Sequence, residues 1–179
     1  DVGVPVALVG QGLGPLDDPE LQTRAAQVLP KVGLIALREG IQGPGILERA
    51  GVAGERVLVT GDDAIELAYQ ARIDEIGSDI GLCLRIAGYA PVSAEVADLV
   101  GRTVRSAASE RTAALVPLII AEFRSQDRRS TLPLVRGYAD VIAPLHRYVP
   151  PIEIARRVAR CRGVVTGAYH LAVFALSQG

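Results

Sequence analysis

Short apolar runs recur along this chain, each closed by glycine or a charged residue and followed by a stretch with helical spacing. The runs cover residues 5–9, 33–37, 57–60, 80–84, 113–120, 140–145 and 164–167. Helical patterns lie between them at 19–29, 45–50, 64–71, 93–109, 130–138 and 151–160, and a last one begins at Leu171. Strands that read as continuous apolar runs, not as alternating ones, are buried on both faces, which requires a parallel sheet with helices on either side. The expected fold is α/β, built of two Rossmann-like parallel-sheet units. Pro19 and Pro151 fall in the first turns of their helical patterns, where a missing N–H costs nothing, and Ser93 is placed to cap the fourth. Polar residues and Gly77 interrupt the alternation between Arg72 and Ser78. The expected organisation is an N-terminal unit over 1–72, a linker over 73–79 and a C-terminal unit over 80–179. The chain opens without Met and stops after Gly179, inside what reads as a helix-to-strand connection, so both units are expected to be incomplete.

Composition narrows the function classes. A net charge of -1 excludes the basic excess that a phosphate backbone needs, so no nucleic-acid partner is expected. Lys31 is the only lysine, leaving arginine to carry nearly all positive charge. Cys83 and Cys161 stand apart, without CxxC or Cys/His spacing, which fits a reducing compartment and argues against a zinc site. The apolar run from Thr112 to Phe123 is too short to span a bilayer.

Open parallel sheets bind ligands beyond the carboxyl ends of their strands. The groups that fall there are Gly10, Gln11, Gly12 and Gly14, then Arg38 with Glu39, Asp62 with Asp63, Arg85, Glu122, His146 and His170. His170 is singled out because it sits between a β-branched run ending at Thr166 and an apolar helix, where a helix N-terminus favours anions. Each group has an ordinary alternative. The glycines read GxGxG instead of the dinucleotide fingerprint, and a tight turn accounts for them equally well. Asp62 and Asp63 suit a helix cap, and Arg38 with Glu39 suits a surface ion pair of little energetic worth. His146, between Leu145 and Arg147, reads as a loop residue.

Taken in order, these groups resemble the polysaccharide pyruvyl transferase family. Gly10-Gln-Gly-Leu-Gly-Pro15 is similar to the family's GQGxGP, Leu37-Arg38-Glu39 to its LRD or VRD, and Gly61-Asp62-Asp63-Ala64 to its D-P-A. Ile80-Gly-Leu-Cys-Leu-Arg85 is similar to its IGxxxR strand, and Thr166-Gly-Ala-Tyr-His170-Leu-Ala-Val-Phe-Ala175 to its G-R-L-H-x-x-x-F-A. Ala168 stands where the family has arginine, Glu39 where it has aspartate and Asp63 where it has proline.

The resemblance implies two Rossmann-like domains in a GT-B-like arrangement and an enzyme that moves pyruvyl from phosphoenolpyruvate to two hydroxyls of a sugar, forming a ketal on a cell-surface polysaccharide or its precursor. It implies no cofactor. His170 is then the general acid/base and Arg85 the second catalytic group. Arg38, Gly10, Gln11, Gly12, Gly14, Asp62 and Glu122 bind substrate, Asp62 by orienting Arg38 and Glu122 as a second proton-transfer group. The implied partners are phosphoenolpyruvate and a sugar or lipid-linked saccharide, the implied location the cytoplasm, with peripheral association at the inner face of the membrane. Two other readings share the scaffold: a nucleotide-sugar-dependent glycosyltransferase or epimerase-like enzyme, and a catalytically impaired scaffold, for which Ala168 is the main argument.

Overall fold

The computed structural model describes residues 3–75, 77–123 and 126–179. The described residues form two compact units that divide between Asp63 and Ala64.

In the first unit, β1 (Ala7–Gln11), β2 (Leu34–Leu37) and β3 (Val57–Val59) form a parallel sheet in that order. Two helices connect them, α1 (Pro19–Val28) and α2 (Gly43–Arg49). Asp18 caps α1 by accepting from the backbone N–H groups of Glu20 and Leu21, as its place before Pro19 predicts. Val32, Ile35, Leu37, Leu47 and Val52 make the core, so the central strand is the one the unit buries. The first strand runs two residues later than the apolar pattern indicates. Its register shifts between Leu8 and Gln11, and Gly10 takes a φ of +67° there, which lets pairing resume at Gln11 opposite Leu37.

The second unit contains α3 (Ala64–Gln70), β4 (Asp79–Cys83), α4 (Ala94–Glu110), β5 (Leu115–Pro117), α5 (Gln126–Thr131), α6 (Pro151–Ala159), β6 (Cys161–Thr166) and α7 (Tyr169–Gln178). Its parallel sheet has the order β5-β4-β6. The strand side chains alternate between two cores. Leu82, Leu84 and Leu115 pack with Val104, Ala108 and Leu134 on one face. Cys83, Val116 and Leu118 pack with Ile154, Val158, Leu171 and Phe174 on the other. Both faces are covered, which is why these strands read as unbroken apolar runs.

Four expectations are corrected. Helix α3 goes with the second unit, not the first, because Ala68 and Ala71 are buried in the core shared with α6 and α7. The Gln178 amide reinforces this by donating to the carbonyls of Ala68 and Ala155. Residues 140–145 form no strand of their own, only a parallel bridge between Val141 and Leu115. Pro144 has no N–H to give, and the carbonyls of Ala143 and Leu145 accept from the Arg157 and Arg128 side chains instead. The helix expected over 130–138 begins earlier, as α5, and tightens into a 3₁₀ turn at Leu132–Val135 around Pro133. The expected linker over 73–79 is packed where Gly77 meets Arg160, since a Cβ at Gly77 would overlap the Arg160 carbonyl. Ile76 lies outside the described residues.

Candidate functional site

In the first unit the ends of all three strands carry the expected groups. Arg38 leaves β2 directly opposite the glycine loop, its backbone N–H donating to the Gln11 carbonyl at 2.9 Å. Its guanidinium lies against Gly12 so closely that a Cβ there would stand 2.6 Å from Nε and 2.8 Å from Nη2. Arg38 Nη1 is 3.8 Å from the Asp62 carboxylate, with the arginine side chain 33% exposed and the aspartate 9%. Gly10 faces Asp63, whose carboxylate fills the space a Cβ would need, and Gly14, with φ +126°, faces the Gln42 amide. Gln11 turns its own amide back to donate to the Val9 carbonyl at 2.8 Å. Glu39 does not pair with Arg38 as a surface bridge. Its carboxylate accepts from the backbone N–H groups of Ile41, Gln42 and Gly43 at 2.7–2.9 Å, fastening the entry to α2. Those three hydrogen bonds, Gln42's foremost, hold its carboxyl below the usual carboxylate range.

In the second unit Arg85 leaves β4 beside the end of β6. Cys83 pairs with Thr166 in register, the Gly167 N–H donates to the Cys83 carbonyl at 3.0 Å, and a Cβ on Gly167 would lie 3.7 Å from that of Arg85. Three residues on, His170 stands exposed in the first turn of α7, edge-on to the Tyr169 ring at 5.1 Å. Thr166 Oγ1 accepts from the Ala168 N–H at 2.9 Å, closing the turn between strand and helix. Ala168 is buried in the apolar core.

Arg85 is held from behind. Its Nε and Nη2 donate to the two carboxylate oxygens of Asp127 at 2.5 and 2.9 Å, and Nη1 donates to the Tyr89 hydroxyl at 3.2 Å. Only 14% of the arginine side chain is exposed and none of the aspartate. The hydrogen bond to Asp127 raises the guanidinium pKa further, against the opposing effect of burial.

A family model described as polysaccharide pyruvyl transferase matches residues 1–179. The chain belongs to the polysaccharide pyruvyl transferase family. No curated protein and no solved structure matches it. It is thus a member of a transferase family acting in polysaccharide biosynthesis, and the family implies a saccharide acceptor. No helix among the described residues is long and apolar enough to cross a membrane.

Within this pyruvyl transferase the expected site residues fall into two groups, one in each unit. Gly10, Gly12, Arg38 and Asp62 come together in the first, and Arg85 and the turn that carries His170 in the second. Glu122 is not available in the manner expected of a proton-transfer group. Arg128 takes both its oxygens, Nη2 at 2.8 Å from Oε1 and Nε at 3.2 Å from Oε2, and Arg147 stands 4.0 Å away. His146 is exposed in the loop beyond the Val141 bridge. Asp127 escaped the sequence reading because it lies in an arginine-rich polar helix, Gln126–Thr131, where an acidic residue looks like ordinary surface. What could have flagged it is Arg85 itself, since a guanidinium at the end of a buried strand needs a carboxylate partner from elsewhere in the chain.

Proposed function

We propose that this chain transfers the pyruvyl group of phosphoenolpyruvate to two hydroxyls of one sugar, forming a ketal on a cell-surface polysaccharide or its lipid-linked precursor. The observation that carries this reading is Arg85, recessed to its tip and forked onto Asp127 beside the strand-to-helix turn that carries His170. A guanidinium whose Nε–Nη2 edge is already bound still offers its outer edge to a carboxylate or phosphoryl group. Charge that builds on a departing phosphate is stabilised most by donors fixed in advance.

His170 delivers a proton to the methylene carbon of the donor, leaving an oxocarbenium-like centre at the adjacent carbon. One sugar hydroxyl attacks that carbon, the C–O bond to phosphate breaks, and the second hydroxyl closes the ketal. Of the two hydroxyl protons, one replaces the proton given to the methylene carbon and the other leaves with phosphate, so the histidine ends as it began. Arg38 against Gly12 is the group in the first unit to which we assign substrate contact. Ala168 removes the guanidinium that the family places beside the histidine, and Arg85 takes over its charge. A lipid-linked acceptor would bring the enzyme to the cytoplasmic face of the membrane as a peripheral protein.

Calorimetric titration of phosphoenolpyruvate, with a UDP-sugar in parallel, tests the reading. Saturable phosphoenolpyruvate binding that weakens in Arg85→Ala supports it, together with loss of phosphate release in a folded His170→Ala protein. Binding of the nucleotide sugar alone would replace it with glycosyl chemistry, and an unchanged turnover rate in His170→Ala would remove the mechanism.

A further inference from the structure

The Asp127 carboxylate is wholly buried and accepts four hydrogen bonds. Two come from Arg85. Two come from the backbone N–H groups of Ile120 and Ala121, at 3.1 and 2.7 Å, where the chain leaves β5. Three of the four fall on Oδ2 and one on Oδ1. A buried ion pair of this kind is weak evidence for stability, because desolvating both charges cancels much of their attraction. What it does supply is direction. The Nε–Nη2 edge of the guanidinium can lie only along the two Asp127 oxygens, so the remaining Nη1–Nη2 edge has one orientation. The residue that carries it leaves the carboxyl end of β4, its backbone and Cβ beside Gly167 at the start of the turn that leads to His170. The two backbone donors extend the constraint, since they pin Asp127, and through it Arg85, to the exit of the neighbouring strand. The Tyr89 hydroxyl on Nη1 marks the outer edge as able to take an oxygen acceptor.

We propose that Asp127 is a positioning residue for donor binding, acting through Arg85 by aiming the outer edge of its guanidinium at the anionic group of phosphoenolpyruvate. This rests on the donor reading given above. Loss of a partner that orients a metal ligand costs about 10- to 100-fold in affinity or activity, and the same range is expected here for the donor.

The test is a cycle of Arg85→Ala, Asp127→Asn and the double variant, each titrated with phosphoenolpyruvate by calorimetry after a thermal melt has established folding. Asp127→Asn should raise Kd by a factor in that range, and the double variant should bind no more weakly than Arg85→Ala alone. A folded Asp127→Asn protein with unchanged Kd overturns the proposal, as does an Asp127 effect that persists at full size when Arg85 is already alanine. If Arg85→Ala itself binds normally, the donor reading of Arg85 fails first, and the positioning role falls with it. Arg85→Lys keeps the test decisive should Asp127→Asn fail to fold. Lysine retains the charge but cannot hold both carboxylate oxygens and still present a fork. Binding lost in Arg85→Lys as in Arg85→Ala supports an aimed edge, and wild-type binding in Arg85→Lys overturns it.

Discussion

Gly12→Ala isolates the role of Arg38, because it adds one carbon where the guanidinium rests. The new Cβ would stand 2.6 Å from Nε, 2.8 Å from Nη2 and 2.9 Å from Cζ. Restoring ordinary contact at about 3.5 Å moves the guanidinium by roughly 1 Å away from the loop. The stability cost is small. The backbone at Gly12 is not left-handed, so alanine fits it, and restricting the unfolded chain returns about 0.4–1 kcal/mol. A partly buried ion pair as long as 3.8 Å contributes about 0–1 kcal/mol. These nearly cancel, and the melting temperature should move by less than about 4 °C. Function should respond far more, since a displacement of about 1 Å in a group that holds substrate costs on the order of 100-fold. The assay is phosphate release from phosphoenolpyruvate with a saccharide acceptor, read as kcat/KM beside a thermal melt. Gly54→Ala is the control, because nothing lies within 4 Å of a Cβ there. A Gly12→Ala enzyme with unaltered kcat/KM would refute the assignment of substrate contact to Arg38. A large drop in melting temperature would refute the account of the loop.

Three further outcomes are expected. Thr131→Val keeps the shape of a fully buried residue but removes the hydroxyl that accepts from the Leu84 N–H at 3.0 Å, and should cost about 1–3 kcal/mol in urea unfolding; a smaller loss would mean the N–H finds another acceptor. The Glu39 carboxyl is held low by its three backbone donors, so its contribution to stability is complete above the unfolded value of about 4.3 and is lost as pH falls through the lower folded value. Glu39→Gln should flatten unfolding stability against pH in that acidic window and leave its slope near neutrality alone, and an unchanged acid limb would contradict the capping role. Burial pushes the thiol of Cys83, only 1% exposed, up to about 12, so in native protein at pH 8 this cysteine should react with a thiol reagent only as fast as the structure around it opens; rapid labelling of Cys83 in native buffer would show an exposed thiolate.

How far the sequence could be read depended on whether a residue's partner was local. The strand-to-helix turn before His170 was legible because Val164, Val165, Thr166 and Gly167 spell it within four residues, although α7 begins at Tyr169, two residues before the expected Leu171. Ser93 was legible for the same reason, capping the helix that starts next to it. Residues 140–145 misled because apolar composition measures burial and not pairing, and only the structure shows side-chain guanidiniums taking the carbonyls a ladder would use. Asp127 and Glu122 were beyond reach for a different reason. Asp127 meets Arg85 across 42 positions of sequence, and Glu122 meets Arg128 across a helix start that the sequence places elsewhere.

The arginines at these strand ends do not stand as bare positive charges. Arg85 is matched by Asp127 and Arg38 by Asp62, so each cation is electrically balanced before any substrate arrives. On the proposed function, an incoming phosphorylated acid would therefore meet oriented N–H groups with little net field behind them. Recognition of that kind discriminates by shape, by where the oxygens sit, more than by total charge. It also draws ligands in only weakly from a distance, because long-range attraction scales with net charge. Donor affinity should accordingly fall only gently as salt is raised, and simple polyanions should compete poorly against a ligand whose oxygens fit the fork.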